Sequence, residues 1–231
     1  MRQSHMILAS RPWYDGMAER LEEATGDVFY RIATPEELET TDLDAIQPRY
    51  VFVPHWSWIL PESIWGRFET IIFHMSDLPF GRGGSPLQNL IVRGFAETQV
   101  TALRCVAELD AGPVYLKRPL SLLGTAEEIF LRAAVQVEGM IRAILRDSPV
   151  PSPQNGVPSV FKRRAPKDGN MAELATLAAA YDHIRMLDAE GYPPAFLEAG
   201  PFRLEFKRAA LRHDRIEADV SITLASGCLQ K

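Results

Sequence analysis

Two loops of this chain carry residues that suit proton transfer. His74 follows the apolar run 70–73 and opens the glycine- and proline-rich segment 75–86. A histidine there can give or take a proton near neutral pH, because its ordinary pKa is close to neutrality. The alternative is a histidine that only caps a strand through bonds to backbone groups.

Asp110 is the second candidate, in the turn 108–113 with the sequence Glu-Leu-Asp-Ala-Gly-Pro. A turn of this kind can hold a carboxylate rigidly toward a cleft. A carboxylate bonded to an imidazole orients the ring and raises its basicity, which helps to remove a proton from an amine that has attacked a carbonyl group. The alternative is an Asx turn, in which Asp110 only stabilises the bend.

The loop 54–61 contains two tryptophans and reads Pro-His-Trp-Ser-Trp-Ile-Leu-Pro. Aromatic and apolar walls with backbone donors suit a flat heteroaromatic ligand. Alternatively, the tryptophans fill the gap between a helix and a sheet. No metal site is expected, because His55, His74, Cys105 and Asp110 do not form a chelating pair such as H-x-x-H.

The elements that must position these loops alternate between apolar strands and short helices. Strands are predicted at 6–9, 28–32, 50–53 and 70–73, and helices at 14–24, from Pro35 and at 61–68. This alternation predicts an α/β domain. His74 would then lie at the carboxyl end of a buried parallel strand, where open α/β sheets bind ligands. The first strand is followed by Ser-Arg-Pro-Trp instead of G-x-G-x-x-G, which disfavours a standard dinucleotide-binding fold.

After the glycine-rich loop, helices are predicted at 87–94 and 125–145, and strands at 98–106 and 114–120. The segment 147–167 is rich in proline and basic residues and is typical of a linker or an extended arm. A further helix and three strands indicate a small α+β subdomain, and they are expected at 171–188, 195–197, 201–206 and 215–223. We therefore expect a catalytic domain at 1–148, a linker at 149–170 and a subdomain at 171–231.

Composition narrows the class of protein. The 231 residues carry a formal net charge of −5, which argues against a dedicated nucleic-acid-binding protein. Cys105 and Cys228 are the two cysteines, and without C-x-x-C spacing they predict neither a disulfide nor a zinc site. No apolar run reaches the roughly 20 residues that a membrane-spanning helix needs. A cytoplasmic location is expected.

Two motifs in this order carry a family resemblance. The first joins His74-Met75-Ser76 to Leu78-Pro79 and Arg82-Gly83, and the second is Leu-Asp-Ala-Gly-Pro at 109–113. Over residues 5–145 the chain resembles the 10-formyltetrahydrofolate-dependent formyltransferases of the methionyl-tRNA formyltransferase-like family. The resemblance implies a Rossmann-like core with a mostly parallel sheet. It also implies 10-formyltetrahydrofolate as cosubstrate, no metal, and catalytic roles for His74 and Asp110.

The same resemblance implies where the folate would bind. Residues 53–61 match the family segment that ends in Ile-Leu-Pro and lines the pterin pocket. The residues expected to bind the cosubstrate are His55, Trp56, Trp58, Ile59, Leu60 and Glu108. One departure is Ile72, which stands where the family has an asparagine that binds the developing oxyanion. Protonated His74, Ser76 or Asn89 would then have to supply that contact, and Ser76 is counted with the catalytic residues.

The acceptor is also suggested by resemblance. The run 73–90 is most similar to the sugar N-formyltransferases of pseudaminic and other nonulosonic acid pathways, which predicts a nucleotide-linked amino sugar, such as a UDP-4-amino-4,6-dideoxy sugar. The residues expected to bind it are Arg82, Gly83, Gly84, Asn89 and Lys117. Segments 182–187 and 192–196 are similar to formyltransferase C-terminal domains.

Other functions remain open from the sequence. They are a methionyl-tRNA-type formyltransferase, a formyltetrahydrofolate hydrolase, and a non-catalytic protein that binds folate or a nucleotide sugar. Apolar strands in the tail, such as 201–206, would permit a homodimer, whereas neither a nucleic acid nor a membrane is expected as a partner.

Overall fold

Eleven strands and seven α-helices make up residues 2–225, the part of the chain that this computed structural model describes. The strands are β1 (Ser4–Ala9), β2 (Val28–Ile32), β3 (Tyr50–His55), β4 (Glu69–His74), β5 (Arg82–Gly83), β6 (Glu97–Arg104), β7 (Val114–Ser121), β8 (Val160–Phe161), β9 (Ala195–Ala199), β10 (Phe202–Leu211) and β11 (Ile216–Leu224). The helices are α1 (Met17–Thr25), α2 (Pro35–Thr40), α3 (Leu43–Ile46), α4 (Glu62–Trp65), α5 (Pro86–Ile91), α6 (Ala126–Asp147) and α7 (Leu177–Arg185).

Six strands form the central sheet in the order β2-β1-β3-β4-β6-β7. β1 pairs in parallel with β2 and β3, β3 pairs in parallel with β4, and β4 pairs antiparallel with β6. The strands β1 and β3 are buried along most of their length, as is typical of parallel strands with both faces covered. The predicted fold class, an α/β core with a mostly parallel sheet and a small C-terminal α+β part, is confirmed.

The C-terminal part is a three-stranded antiparallel sheet in the order β11-β10-β9, accompanied by α7. This helix is shorter than the predicted span 171–188. The Met171 N–H donates to the carbonyl of Phe196, and Thr176 caps α7 by accepting from the Ala179 N–H. Backbone pairing with β9 and this cap therefore replace the first predicted turns of the helix.

The chain packs as two compact units, each built from separate segments. Within the described residues, the first comprises 2–83, 98–120 and 131–160, and the second comprises 84–97, 121–130 and 161–225. The predicted domains 1–148 and 171–231 and the linker 149–170 stay predictions. No helix within residues 2–225 combines the length and apolarity required to cross a membrane.

Candidate active site

His74 is the last residue of β4, and the loop that follows holds its ring. The side chain is buried, with 7% of the residue exposed. Its Nε2 atom lies 2.8 Å from the carbonyl oxygen of Gly81. Because a carbonyl oxygen can only accept, Nε2 carries the hydrogen in this contact, and Nδ1 is the nitrogen that can take up a further proton.

Asp110 lies in the turn between β6 and β7, and a hydrogen bond from the backbone of β5 holds its carboxylate. The Gly83 N–H donates to Oδ2 at 2.9 Å, and the residue is 8% exposed. The backbone of Asp110 is left-handed, with φ at 52°, a conformation that Asp and Asn adopt more readily than most residues. A Cβ atom on Gly112 would lie 1.8 Å from the Arg104 carbonyl oxygen, so only glycine fits beside β6 at this position.

The two predicted catalytic residues come together. Nδ1 of His74 lies 3.6 Å from Oδ2 of Asp110, a separation suited to an ion pair once the ring is protonated but longer than a hydrogen bond. Both groups are buried, so the interaction between their charges is screened less than it would be in water. This arrangement places a buried carboxylate beside the ring nitrogen that can take up a proton.

Ser76 supports the loop. It is fully buried, and its hydroxyl donates to the same Gly81 carbonyl oxygen that His74 contacts, at 3.2 Å. The Thr101 hydroxyl in turn donates to the carbonyl oxygen of Ser76 at 2.7 Å. These contacts occupy the Ser76 hydroxyl within the protein and fix the carbonyl that orients His74.

The predicted substrate residue Arg82 and the predicted folate residue Glu108 bind each other. Arg82 Nη1 lies 3.0 Å from Glu108 Oε1, and the Glu108 side chain is 77% exposed. On its other side, Arg82 donates through Nε and Nη2 to Oε1 of Gln154. Sequence reasoning missed Gln154, because it stands in the proline-rich segment interpreted as a linker or an arm.

The other predicted substrate residues make contacts within the protein. The Asn89 amide donates to three backbone carbonyls, of Gly84, Ser85 and Lys162. The Lys117 ammonium contacts the Asp77 carboxylate and the carbonyl oxygen of Leu78. The contacts of Asn89 use both of its amide hydrogens and favour a structural role. Gly84 is in the same unit as Asn89, where an added Cβ would meet the Arg163 backbone at 2.6 Å.

The tryptophan loop presents an apolar wall. The Trp56 and Trp58 rings meet edge to face with centroids 5.0 Å apart. Trp56 and Leu60 pack against a buried apolar cluster on the sheet, whereas Ile59 is 87% exposed. The indole N–H of Trp56 is buried and has no hydrogen-bond partner within residues 2–225. The loop therefore offers a flat ligand apolar contact, whereas the buried Trp56 N–H is closed to a ligand unless the ring moves.

Two further predicted positions, Ile72 and His55, belong to the strands β4 and β3. Ile72 packs against the same apolar cluster as Trp56 and Leu60, so the position contributes no side-chain donor. His55 lies at the end of β3 with its ring centroid 5.5 Å from that of Trp13. Burial, with a smaller contribution from the Arg11 charge, lowers the pKa of His55 to about 4. His55 is therefore neutral at physiological pH.

A metal centre has no support in the described part of the chain. Within residues 2–225, no group of three or more His, Cys, Asp or Glu side chains is placed to hold a metal ion. Burial and the Asp110 charge raise the pKa of the Cys105 thiol to about 11, which disfavours the thiolate that metals bind. Cys228 lies outside the described residues.

Comparisons with known sequences identify methionyl-tRNA formyltransferases as similar proteins. The profile of the family described as "Methionyl-tRNA formyltransferase, C-terminal domain" matches residues 166–223. A curated relative named methionyl-tRNA formyltransferase, from Wolinella succinogenes, is 29% identical over 171 residues, which cover 71% of this chain and 54% of the relative. The chain thus spans about half the length of this relative.

Two solved structures extend the comparison. The methionyl-tRNA formyltransferase from Clostridium thermocellum is 42% identical to this chain, with a TM-score of 0.93, and the match covers 96% of this chain and all of the other. A sugar N-formyltransferase from Shewanella is 14% identical, with a TM-score of 0.70, over 91% of this chain and 98% of the other. At that identity the second match shows a shared fold alone.

Proposed function

Because the chain belongs to the family of methionyl-tRNA formyltransferase-like formyltransferases, we propose that it transfers a formyl group from 10-formyltetrahydrofolate to the nitrogen of an amine. The observation that carries this proposal is the buried pair of His74 and Asp110. The Gly81 carbonyl and the Gly83 N–H hold the two side chains 3.6 Å apart. Such a pair suits a reaction in which a proton must leave an attacking nitrogen.

In the proposed transfer one bond forms, one bond breaks and one proton moves. The acceptor nitrogen bonds to the formyl carbon, the bond between that carbon and N10 of the folate breaks, and one proton moves from the acceptor nitrogen to N10. Asp110 accepts the proton from the attacking nitrogen. His74 takes it up at Nδ1, where the imidazolium pairs with Asp110, and delivers it as the folate leaves.

The negative charge that develops on the formyl oxygen needs a stabilising group. Ile72 contributes no donor at the family's asparagine position. The Asn89 amide and the Ser76 hydroxyl already donate to backbone carbonyls. We assign this role to the positive charge of protonated His74, which a buried site screens only weakly.

The tryptophan loop fits the pterin ring of the folate. A pterin is flat, which matches an apolar wall containing Trp56, Leu60 and Ile72. Among the other predicted folate contacts, Ile59 and Trp58 are exposed enough to meet a ligand, and Glu108 is bound to Arg82. When bound, the folate supplies the activated formyl group.

Methionyl-tRNA is the acceptor that we propose first. The curated relatives and the Clostridium thermocellum structure carry the name methionyl-tRNA formyltransferase. A nucleotide-linked amino sugar, the acceptor predicted from the sequence, is the second candidate. It is favoured by the net charge of −5, because a chain that binds a large polyanion usually has a basic surface.

The test is a formyl-transfer assay with both acceptors. The purified protein is incubated with 10-formyltetrahydrofolate and either methionyl-tRNA or a panel of UDP-linked 4-amino sugars, and products are identified by mass spectrometry. We expect one acceptor to gain a single formyl group in a reaction that His74→Ala abolishes. Folate consumed without any amine would instead establish a hydrolase, and folate binding without turnover would establish a binding protein.

A further inference from the structure

Residues 152–159, which we call the bridging segment, contact both loops that hold the predicted catalytic pair. We propose that Gln154 in this segment is a positioning residue for Asp110, and that Ser159 has the corresponding role for His74. The proposal rests on the proposed formyl transfer. It adds to that reaction a segment that the sequence presents as a linker or an arm.

Gln154 forms four hydrogen bonds that join Arg82 to the Asp110 turn. Its Nε2 donates to the backbone carbonyls of Asp110, at 2.8 Å, and Gly112, at 2.9 Å. Its Oε1 accepts from Arg82 Nε at 3.2 Å and from Nη2 at 2.9 Å. Gly83, which follows Arg82 in the chain, donates its N–H to the Asp110 carboxylate. Gln154 thus connects the backbone of Asp110 to the strand whose N–H holds the Asp110 side chain.

Ser159 secures the carbonyl that orients His74. The Gly81 N–H donates to the Ser159 hydroxyl at 2.8 Å, and the Arg82 N–H donates to the Ser159 carbonyl at 2.9 Å. The Ser159 N–H donates to the Pro79 carbonyl at 3.1 Å. The carbonyl of Gly81, tied down on both sides, is the acceptor for Nε2 of His74.

The start of the bridging segment is anchored as well. Ser152 and Val114 exchange a pair of backbone hydrogen bonds of 2.9 and 2.7 Å, just after the Asp110 turn. Gln154 follows two residues later and is only partly exposed. A side chain anchored in this way can hold its partners at a smaller cost in conformational entropy than a freely moving one.

The hydrogen bonds of the Gln154 amide suggest variants that test its role. Only a neutral amide can accept from a guanidinium and donate to two carbonyls with the same side chain. Gln154→Glu keeps the acceptor for Arg82 but turns a carboxylate oxygen toward the carbonyls of Asp110 and Gly112. Both Gln154→Glu and Gln154→Ala should therefore release the Asp110 turn, whereas the exposed neighbouring amide serves as the matched control in Asn155→Ala.

The kinetic test uses the full chain with whichever acceptor is formylated. We expect Gln154→Ala and Gln154→Glu to lower kcat by roughly 10- to 100-fold with little change in KM for 10-formyltetrahydrofolate. In an Asp110→Asn background the added loss should fall below about threefold, because Gln154 acts through Asp110. Losses that multiply in the double variant, or a KM effect alone, would overturn the proposal.

Hydrogen exchange provides a readout that does not require turnover. In Gln154→Ala, amides of residues 107–112 should exchange at least about tenfold faster than in the wild type or Asn155→Ala. In Ser159→Ala, the same acceleration should appear at residues 80–83. Unchanged exchange in both variants would contradict the positioning roles. If the wild type formylates neither acceptor, the proposed function fails, while the exchange data still decide whether the bridging segment holds these loops.

Discussion

Nδ1 of His74 faces Oδ2 of Asp110 at 3.6 Å, while Nε2 of the same ring contacts the Gly81 carbonyl oxygen at 2.8 Å. A neutral ring satisfies only the second contact, because its single hydrogen is on Nε2. A protonated ring satisfies both. The geometry therefore places the Asp110 carboxylate opposite the ring nitrogen that carries no hydrogen in the neutral form.

Asp110→Asn is expected to lower the rate of formyl transfer by about 100- to 10,000-fold, since the amide cannot accept the proton that the carboxylate takes. Asparagine tolerates the left-handed backbone at this position, so the turn should keep its shape. Single-turnover kinetics measures the effect, with the exposed Asp147→Asn as the control. A loss smaller than tenfold would argue against Asp110 as the proton acceptor.

Gly112→Ala is expected to reduce formyl transfer at least about tenfold by displacing the Asp110 turn, because its Cβ would lie 1.8 Å from the Arg104 carbonyl oxygen. Gly94→Ala is the control. This change places alanine at a backbone φ of 80°, which is strained, but no atom lies within 4 Å of the added Cβ. Thermal unfolding and transfer rates of both variants are compared. Equal activities would show that the turn can move without consequence for the reaction.

Trp56→Phe is expected to weaken binding of tetrahydrofolate by roughly five- to tenfold, since the smaller ring offers less apolar surface to the pterin that we assign to this loop. The smaller ring also loses packing against the apolar cluster, so the free energy of unfolding is measured for the variant as well. Isothermal titration calorimetry measures the affinity, with Trp65→Phe as the control. Equal affinities of the two variants would place the pterin elsewhere.

The His55 side chain should make stability depend on pH. Its pKa is about 4 in the folded chain and 6.5 when unfolded, so the unfolded chain binds more protons between these values. The stabilisation is fully present above pH 6.5 and is lost as the pH falls toward 4, by at most about 3 kcal/mol. In His55→Gln, the free energy of unfolding from urea titrations should fall less over that range. Parallel curves for the two proteins would rule out this contribution.

Much of the site is predictable because its signals are local. His74 ends an apolar run and Asp110 sits in a glycine–proline turn, so their positions in the fold follow from a few neighbouring residues. The bounds of β2, predicted at 28–32, are those of the structure. The shorter α7 depends on the hydrogen bond between Met171, which precedes the helix, and Phe196 of β9, and no local pattern predicts that contact.

The parts that escaped prediction depend on distant contacts. Gln154 bonds to Arg82 and Asp110, which are 72 and 44 residues away in sequence, and nothing near Gln154 indicates those partners. The substrate contact predicted for Asn89 stays a prediction, and the carbonyls of Gly84, Ser85 and Lys162 that its amide meets could not be inferred from its neighbours in sequence. Residue type suggests what a side chain can bind, whereas only the fold decides which partner it meets.

The bridging segment also has a consequence for biosynthesis. A chain emerges from the ribosome with its N-terminus first. His74 and Asp110 therefore emerge well before Gln154 and Ser159. The contact of Gly81 with Ser159 closes a span of 78 residues. A nascent chain therefore contains both residues of the predicted catalytic pair before Gln154 and Ser159, the proposed positioning residues, have been added. The proposed site can therefore assemble only after residue 159 has been synthesised.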